Sequence, residues 1–144
     1  MIHLNLVTAT GTKYDGDVYE VILPTLEGEI GVLKDHMPLI SAATNGVISI
    51  RKNPKDPDRE MEFFATNGGV IEVENNNLRV IVDEADHADD ISEAEAKAAL
   101  ERAQKMKAEA KDQLSLEQAQ TMVDRSSVRL QVASLKRRHT KRKY

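Results

Sequence analysis

The period of the hydrophobic pattern changes once along this chain of 144 residues, and that change limits the fold more than any other feature. Up to residue 82, apolar residues alternate with polar ones or form short blocks of strand length; beyond an acidic stretch at residues 83–90 they recur at spacings of three and four. Alternation puts every second side chain on one face of a strand, whereas three-four spacing builds a stripe along a helix. The chain therefore reads as α+β: an N-terminal antiparallel β-sandwich in residues 1–85, then a C-terminal antiparallel two-helix hairpin in residues 86–144.

Ile2, Leu4 and Leu6, set against His3 and Asn5, open the alternation. A turn containing Gly11, Asp15 and Gly16 leads into an apolar run at residues 18–23, which Pro24 is expected to end. Asn45-Gly46 and Asn67-Gly68-Gly69 read as hairpin turns, and Asn75-Asn76-Asn77 as a turn into the strand 78–82. Residues 28–39 (GEIGVLKDHMPL) read as a bending segment and not a ladder: Gly28 and Gly31 have free backbone angles, and Pro38 restrains Met37. A loop held in this way is a contact surface. With two Phe, three Tyr and no Trp, the core is built from aliphatic side chains, and no large apolar ligand pocket is expected.

In the second half, Ser92 with Glu95 and Ser115 with Gln118 form capping boxes that start two helices. The first carries a narrow stripe of Ala99, Ala103, Met106 and Ala110. The second repeats Leu116, Ala119, Val123, Ser126, Leu130 and Ala133, an a/d-type seam. The short link at residues 111–114 makes the helices antiparallel neighbours. Their seam of small residues holds them weakly, so exchange between a closed and an extended hairpin is expected.

Charge is polarised between the two parts. Residues 1–90 hold 7 Lys+Arg against 17 Asp+Glu, and residues 91–144 hold 13 against 7, which leaves the second part basic and suited to an acidic partner. The absence of cysteine excludes disulfides, thiolate metal sites and a cysteine nucleophile, and fits a reducing compartment. The opening residues have no basic region or apolar core of a targeting peptide, and no run approaches the ~20 apolar residues of a membrane span. His36 beside Asp35 has no nucleophile placed by a motif, so catalysis is not expected. His87, among Asp83, Glu84, Asp86, Asp89 and Asp90, lacks metal-ligand spacing and reads as part of a solvated linker. The basic tail at residues 136–143 has no interleaved aromatic residues for stacking on bases, which argues against nucleic acid as a partner.

Two motifs add a family. LPTLEGEIGVLKDHMPL at residues 23–39, and the double-glycine segment at residues 64–73, closely resemble the epsilon subunit of bacterial F-type ATP synthases, and the likeness extends over nearly the whole chain. The resemblance implies a non-catalytic rotor subunit that joins the central-stalk gamma subunit to the membrane c-ring and inhibits ATP hydrolysis through its helices. Its place would be the cytoplasmic face of the bacterial inner membrane, peripheral through the complex. It implies c-ring contact by Glu29, Gly31 and His36, and contact of a basic second helix (Arg125, Arg129, Lys136, Arg137, Arg138) with the catalytic beta and alpha subunits. Some relatives of this kind bind ATP in the folded hairpin. Here Arg102, Arg125, Arg129 and Asp86 match positions of that site, but its motif reads Ile91-Ser92-Glu93-Ala94-Glu95-Ala96, with serine for aspartate and Glu95 for arginine. Glu95 would repel a phosphate, so no cofactor is expected and ATP binding is expected to be weak or absent. The alternatives are a free-standing ATP-sensing module, or a small adaptor that binds acidic or nucleic-acid partners through its tail.

Overall fold

The computed structural model describes residues 1–142, with side chains described for residues 1–138. The rest of the basic tail, residues 139–144, lies outside the described side chains. Ten strands fill the first part: β1 Ile2–Thr8, β2 Gly11–Val18, β3 Glu20–Thr25, β4 Gly28–Leu33, β5 Leu39–Ala43, β6 Gly46–Arg51, β7 Glu62–Thr66, β8 Gly69–Glu74, β9 Asn77–Val82 and β10 Ala85–His87. Two helices follow, α1 Glu93–Glu109 and α2 Gln113–Arg142.

The strands run in the order β10-β7-β6-β3-β5-β8-β9-β1-β2, with β4 paired to β3 outside that path. All pairings are antiparallel except β1 with β9, which is parallel. The sheet closes over Ile2, Leu4, Leu6, Val21, Leu23, Ile48, Ile50, Ile71 and Val80, none of which is accessible to solvent. The alternation in β1 is the reason: its burial pattern is strictly every second residue. An aliphatic core of this kind packs well on a pleated surface without aromatic residues.

Several local expectations differ from the structure. Residues 11–18 form the exposed edge strand β2 and not a turn. Residues 28–33 do ladder, pairing with β3 from Thr25↔Gly28 to Glu20↔Leu33. Pro24 does not end its strand. It sits where β3, paired with β6 through Glu20, Val21 and Ile22, passes to β5 at Thr25, and its carbonyl accepts from Thr44 N–H at 3.0 Å. The missing proline N–H falls at that changeover, where no ladder bond is needed.

Neither Asn45-Gly46 nor Asn67-Gly68-Gly69 is a hairpin turn. β5 pairs with β8 while β6 pairs with β3 and β7, so both connections cross from one region of the sheet to another. Gly46 and Gly69 serve close approach, and Gly68 combines it with a positive φ of 112. A Cβ on Gly46 would lie 2.6 Å from the Pro24 ring, one on Gly68 2.9 Å from Ala43 O, and one on Gly69 2.0 Å from Ile81 O. Asn75-Asn76 is a hairpin turn, with both residues left-handed at φ 50 and 61.

Ser92 Oγ accepts from Glu95 N–H at 3.2 Å, as its capping position predicts. α2 starts earlier than Ser115: Asp112 Oδ1 accepts from Ser115 N–H at 2.7 Å and caps the helix. That bond holds the Asp112 carboxyl below its usual pKa. On the inter-helix seam Ala103, Ala119 and Ser126 are buried, whereas Met106 is exposed. A second stripe on α2, Val128 and Val132, packs with Val47, Phe63, Ala65, Ala88 and Ile91 of the sandwich and its exit, so α2 lies between α1 and the sheet.

Gly69→Ala is expected to lower stability by about 2–3 kcal/mol, because backbone must move to admit the methyl. Gly31→Ala, with nothing within 4 Å of its Cβ, should change it by less than about 0.5 kcal/mol. Denaturant unfolding of both variants checks the pair.

Candidate functional site

The cationic residues of α2 meet the acidic segment that leads out of the sandwich. Arg125 Nε donates to Glu84 Oε2 at 2.8 Å, Arg129 Nη1 to Asp86 Oδ2, Lys136 Nζ lies 2.7 Å from Asp89 Oδ1, and Arg137 Nη1 lies 3.2 Å from Glu93 Oε1. Segment and helix run the same way, so the carboxylates at 84, 86, 89 and 93 take the cations in order. Arg125, Arg129 and Lys136 share one face of α2 because offsets of four and eleven residues are nearly whole turns.

β10 gives this acidic segment a fixed shape, pairing with β7 through Ala85↔Thr66, Asp86↔Ala65 and His87↔Phe64. The expectation of a solvated linker around His87 is thereby corrected. The ring is half-buried, edge-on to Phe64 with centroids 5.0 Å apart, and its Nδ1 accepts from Asp89 N–H at 3.0 Å. Among the described residues no group of three or more His, Cys, Asp or Glu is arranged to hold a metal ion.

The four candidate ATP residues come together only in part. Arg102, Arg125 and Arg129 line a cleft of about 390 Å³ between α1 and α2, with Glu95, Ser126 and three alanines of α1. Asp86 lies behind it, in a crevice of about 10 Å³ against β7. Arg125 and Arg129 already hold carboxylates, and hydrogen bonding to Glu84 raises the Arg125 pKa further. Glu95 adds a carboxyl group to the lining of the same cleft. Arg138 is separate, at a groove with Leu100, Leu130 and Leu135.

The other candidate group lies on the sandwich. Glu29 and Gly31 are exposed on β4, an edge strand, while His36 follows its far end. The strand from Glu29 to Leu33 spans roughly 13 Å at the usual rise, so Glu29 and His36 are not close neighbours. His36 N–H donates to Leu33 O at 3.2 Å, and its ring Nδ1 bonds Met37 O at 2.7 Å. Met37 is 72% exposed and Ile40 80%.

The family resemblance marked the arginines of α2, and their spacing put Arg125 and Arg129 on one face, but Glu84, Asp86, Asp89 and Glu93 were missed as the ion-pair partners of the basic helix. The acidic run itself was the available signal, since like charges gathered beside a basic helix imply pairing.

Residues 1–88 match the family described as ATP synthase, Delta/Epsilon chain, beta-sandwich domain, which gives the class of the sandwich. Over longer spans the chain is 33% identical to the ATP synthase epsilon chain of Halalkalibacterium halodurans, covering 92% of this chain and 96% of that one. It is 35% identical to the ATP synthase epsilon chain of a Sulfurihydrogenibium species, covering 94% and 99%. The chain belongs to the family of ATP synthase epsilon chains. Solved structures share the fold: a chain in the Euglena gracilis mitochondrial ATP synthase OSCP/F1/c-ring assembly matches with TM-score 0.79 at 20% identity, over 93% of this chain and 81% of that one. A chain from the Tetrahymena thermophila mitochondrial ATP synthase central stalk and c-ring gives 0.59 at 13%, over 91% and 95%.

Each ion pair is partly exposed and contributes about 0.2–1 kcal/mol, but screening weakens all of them together. Raising salt from about 0.05 to 0.5 M should increase the separation of α2 from the sandwich, read by the distance between two introduced labels. Acid should act the same way. Asp89 is held below its usual 3.8 chiefly by Lys136, so its contribution is complete above that value and is lost as pH falls through the lowered one.

Proposed function

We propose that the chain is the non-catalytic epsilon subunit of an F-type ATP synthase, a central-stalk rotor component that joins the gamma subunit to the c-ring. In this reading residues 1–85 couple the rotor and residues 86–144 restrain ATP hydrolysis. Family membership over nearly the full length supports the subunit assignment. The relatives' name and the fold's occurrence in F1/c-ring assemblies support the partners: gamma, the c-ring, and the catalytic beta and alpha subunits. No helix among the described residues is long and apolar enough to cross a membrane, and in this reading the chain is peripheral to it through the complex. We place that complex at the cytoplasmic face of a bacterial plasma membrane.

The observation that carries the regulatory part is the build of the α2 contact. Its buried apolar side is made of Val128, Val132 and Ala133, with Leu130 and Leu135 only partly buried beside them, and its other attachments are partly exposed ion pairs and one hydrogen bond from Asn45 Nδ2 to Asp124 O at 3.2 Å. Such a contact is reversible, and once open it offers Arg125, Arg129, Lys136 and Arg138 to an acidic surface, joined by Arg137 when the two helices also separate. On the sandwich, Glu29, Gly31 and His36 would contact the c-ring, Glu29 and Gly31 from the exposed edge of β4 and His36, with Met37 beside it, from the loop beyond its far end. ATP sensing is the weaker reading, because Arg125 and Arg129 are neutralised within the chain and Glu95 faces the cleft.

The test is ATP hydrolysis by the reconstituted synthase, with the full chain or with a chain truncated after Asp90. A several-fold rise on truncation, with assembly and ATP-driven proton pumping retained, is the expected result. Unchanged hydrolysis would remove the inhibitory role and leave the coupling role standing. ATP titrated into the free full chain should give no binding below millimolar concentrations.

A further inference from the structure

The turn at residues 74–77 uses an unusual residue at its second central position. With φ 50 at Asn75 and 61 at Asn76, both central residues are left-handed, the type I′ arrangement in which the second position favours glycine. Asparagine there gives up conformational ease, and its side chain shows what it does instead. Asn76 Oδ1 accepts from Asp35 N–H at 2.6 Å, and Asn76 Nδ2 donates to Asp35 Oδ1 at 3.3 Å. Asp35 is itself left-handed, at φ 64, again where glycine would be easier. The Asn76 carbonyl also accepts from His3 N–H at 2.9 Å, fixing the turn to β1.

Two residues from separate connections thus keep side chains at glycine-favouring positions and bond each other reciprocally. The loop they hold, residues 34–38, has few other anchors. His36 N–H reaches Leu33 O, and Pro38 has no N–H to donate. Yet this loop carries the exposed Met37 and the imidazole of His36, and runs into the exposed Ile40. An apolar side chain presented to solvent on a loop binds best when the loop is ordered before contact, since ordering it on contact subtracts from affinity.

We propose that Asn76 is a positioning residue for rotor assembly: its carboxamide clasps Asp35 and holds the loop of His36 and Met37 in the conformation that the c-ring receives. The inference rests on the reading of this loop as a rotor contact. Stability and binding should respond to it in opposite directions. Asn76→Gly converts the turn to Asn-Gly, the sequence it favours, so the unfolding midpoint should stay the same or rise. The same change removes both side-chain bonds to Asp35, so exchange of the Asp35 amide should quicken about tenfold, the equivalent of one hydrogen bond.

The experiment compares wild type, Asn76→Gly and Met37→Ser as full-length chains in denaturant unfolding, amide exchange and association with synthase depleted of this subunit. The expected result is an Asn76→Gly chain that is no less stable, exchanges faster at Asp35 and associates about tenfold more weakly. Unchanged exchange at Asp35 overturns the clasp; faster exchange with unchanged association overturns its positioning role. A lowered unfolding midpoint makes Asn76 a structural residue and overturns the proposal as well. If Asn76→Gly binds normally while Met37→Ser binds weakly, the contact loop stands and only the clasp falls. If both bind normally, the loop is no rotor contact and both fall.

Discussion

One helix has to satisfy two surfaces, and the behaviour of the C-terminal half follows from how little apolar area it has for that purpose. α2 turns Ala119 and Ser126 toward α1 and Val128 and Val132 toward the sandwich. The sandwich core, in contrast, removes Ile, Leu and Val side chains completely from water. At about 0.8 kcal/mol per buried methylene, an alanine seam contributes a fraction of what a leucine seam would. The protein is therefore a firmly packed body carrying a lightly held one, and partly exposed charge pairs make up a large share of the attachment between them.

The fold class and the order of its parts were legible because hydrophobic period is a local property: strict alternation in β1 and three-four spacing in α2 need no knowledge of distant residues. Strand partners were not legible in the same way. Asn45-Gly46 and Asn67-Gly68-Gly69 look like hairpin turns because glycine is needed in both, but at Gly46 and Gly69 the need comes from Pro24 and Ile81 pressing on the backbone, and at Gly68 from a positive φ of 112 together with the approach of Ala43. A short sequence cannot distinguish a glycine demanded by torsion from one demanded by space. The Asn75-Asn76 turn, demanded by torsion, read correctly.

The candidate site shows the same division. Arg125 and Arg129 were visible as a pair because four residues make one helical turn, whereas their partners Glu84 and Asp86 lie 41 and 43 residues away and enter through β10, a three-residue strand too short to show alternation. The sheet-facing stripe of α2 was hidden for another reason. Val128 and Val132 fall between the positions of the a/d seam, so a helix with two buried faces looked like a helix with one and a little scatter. The aspartate that caps α2 was overlooked because Ser115 offered a more familiar pattern three residues later.

The ion pairs on α2 do not all tie the same objects together. Glu93 belongs to α1, so the Arg137 pair is internal to the hairpin, while Glu84, Asp86 and Asp89 belong to the sandwich and its exit. A hairpin that swings away as one piece about residues 88–92 breaks the bonds of Arg125, Arg129 and Lys136 and keeps that of Arg137. Unfolding the hairpin into separate helices must break that pair too, along with the Ala103 and Ala119 packing. The geometry thus arranges two joints in series, one held at the sandwich by three ion pairs and one within the hairpin by the Arg137 pair and the alanine packing, so that each can open without the other.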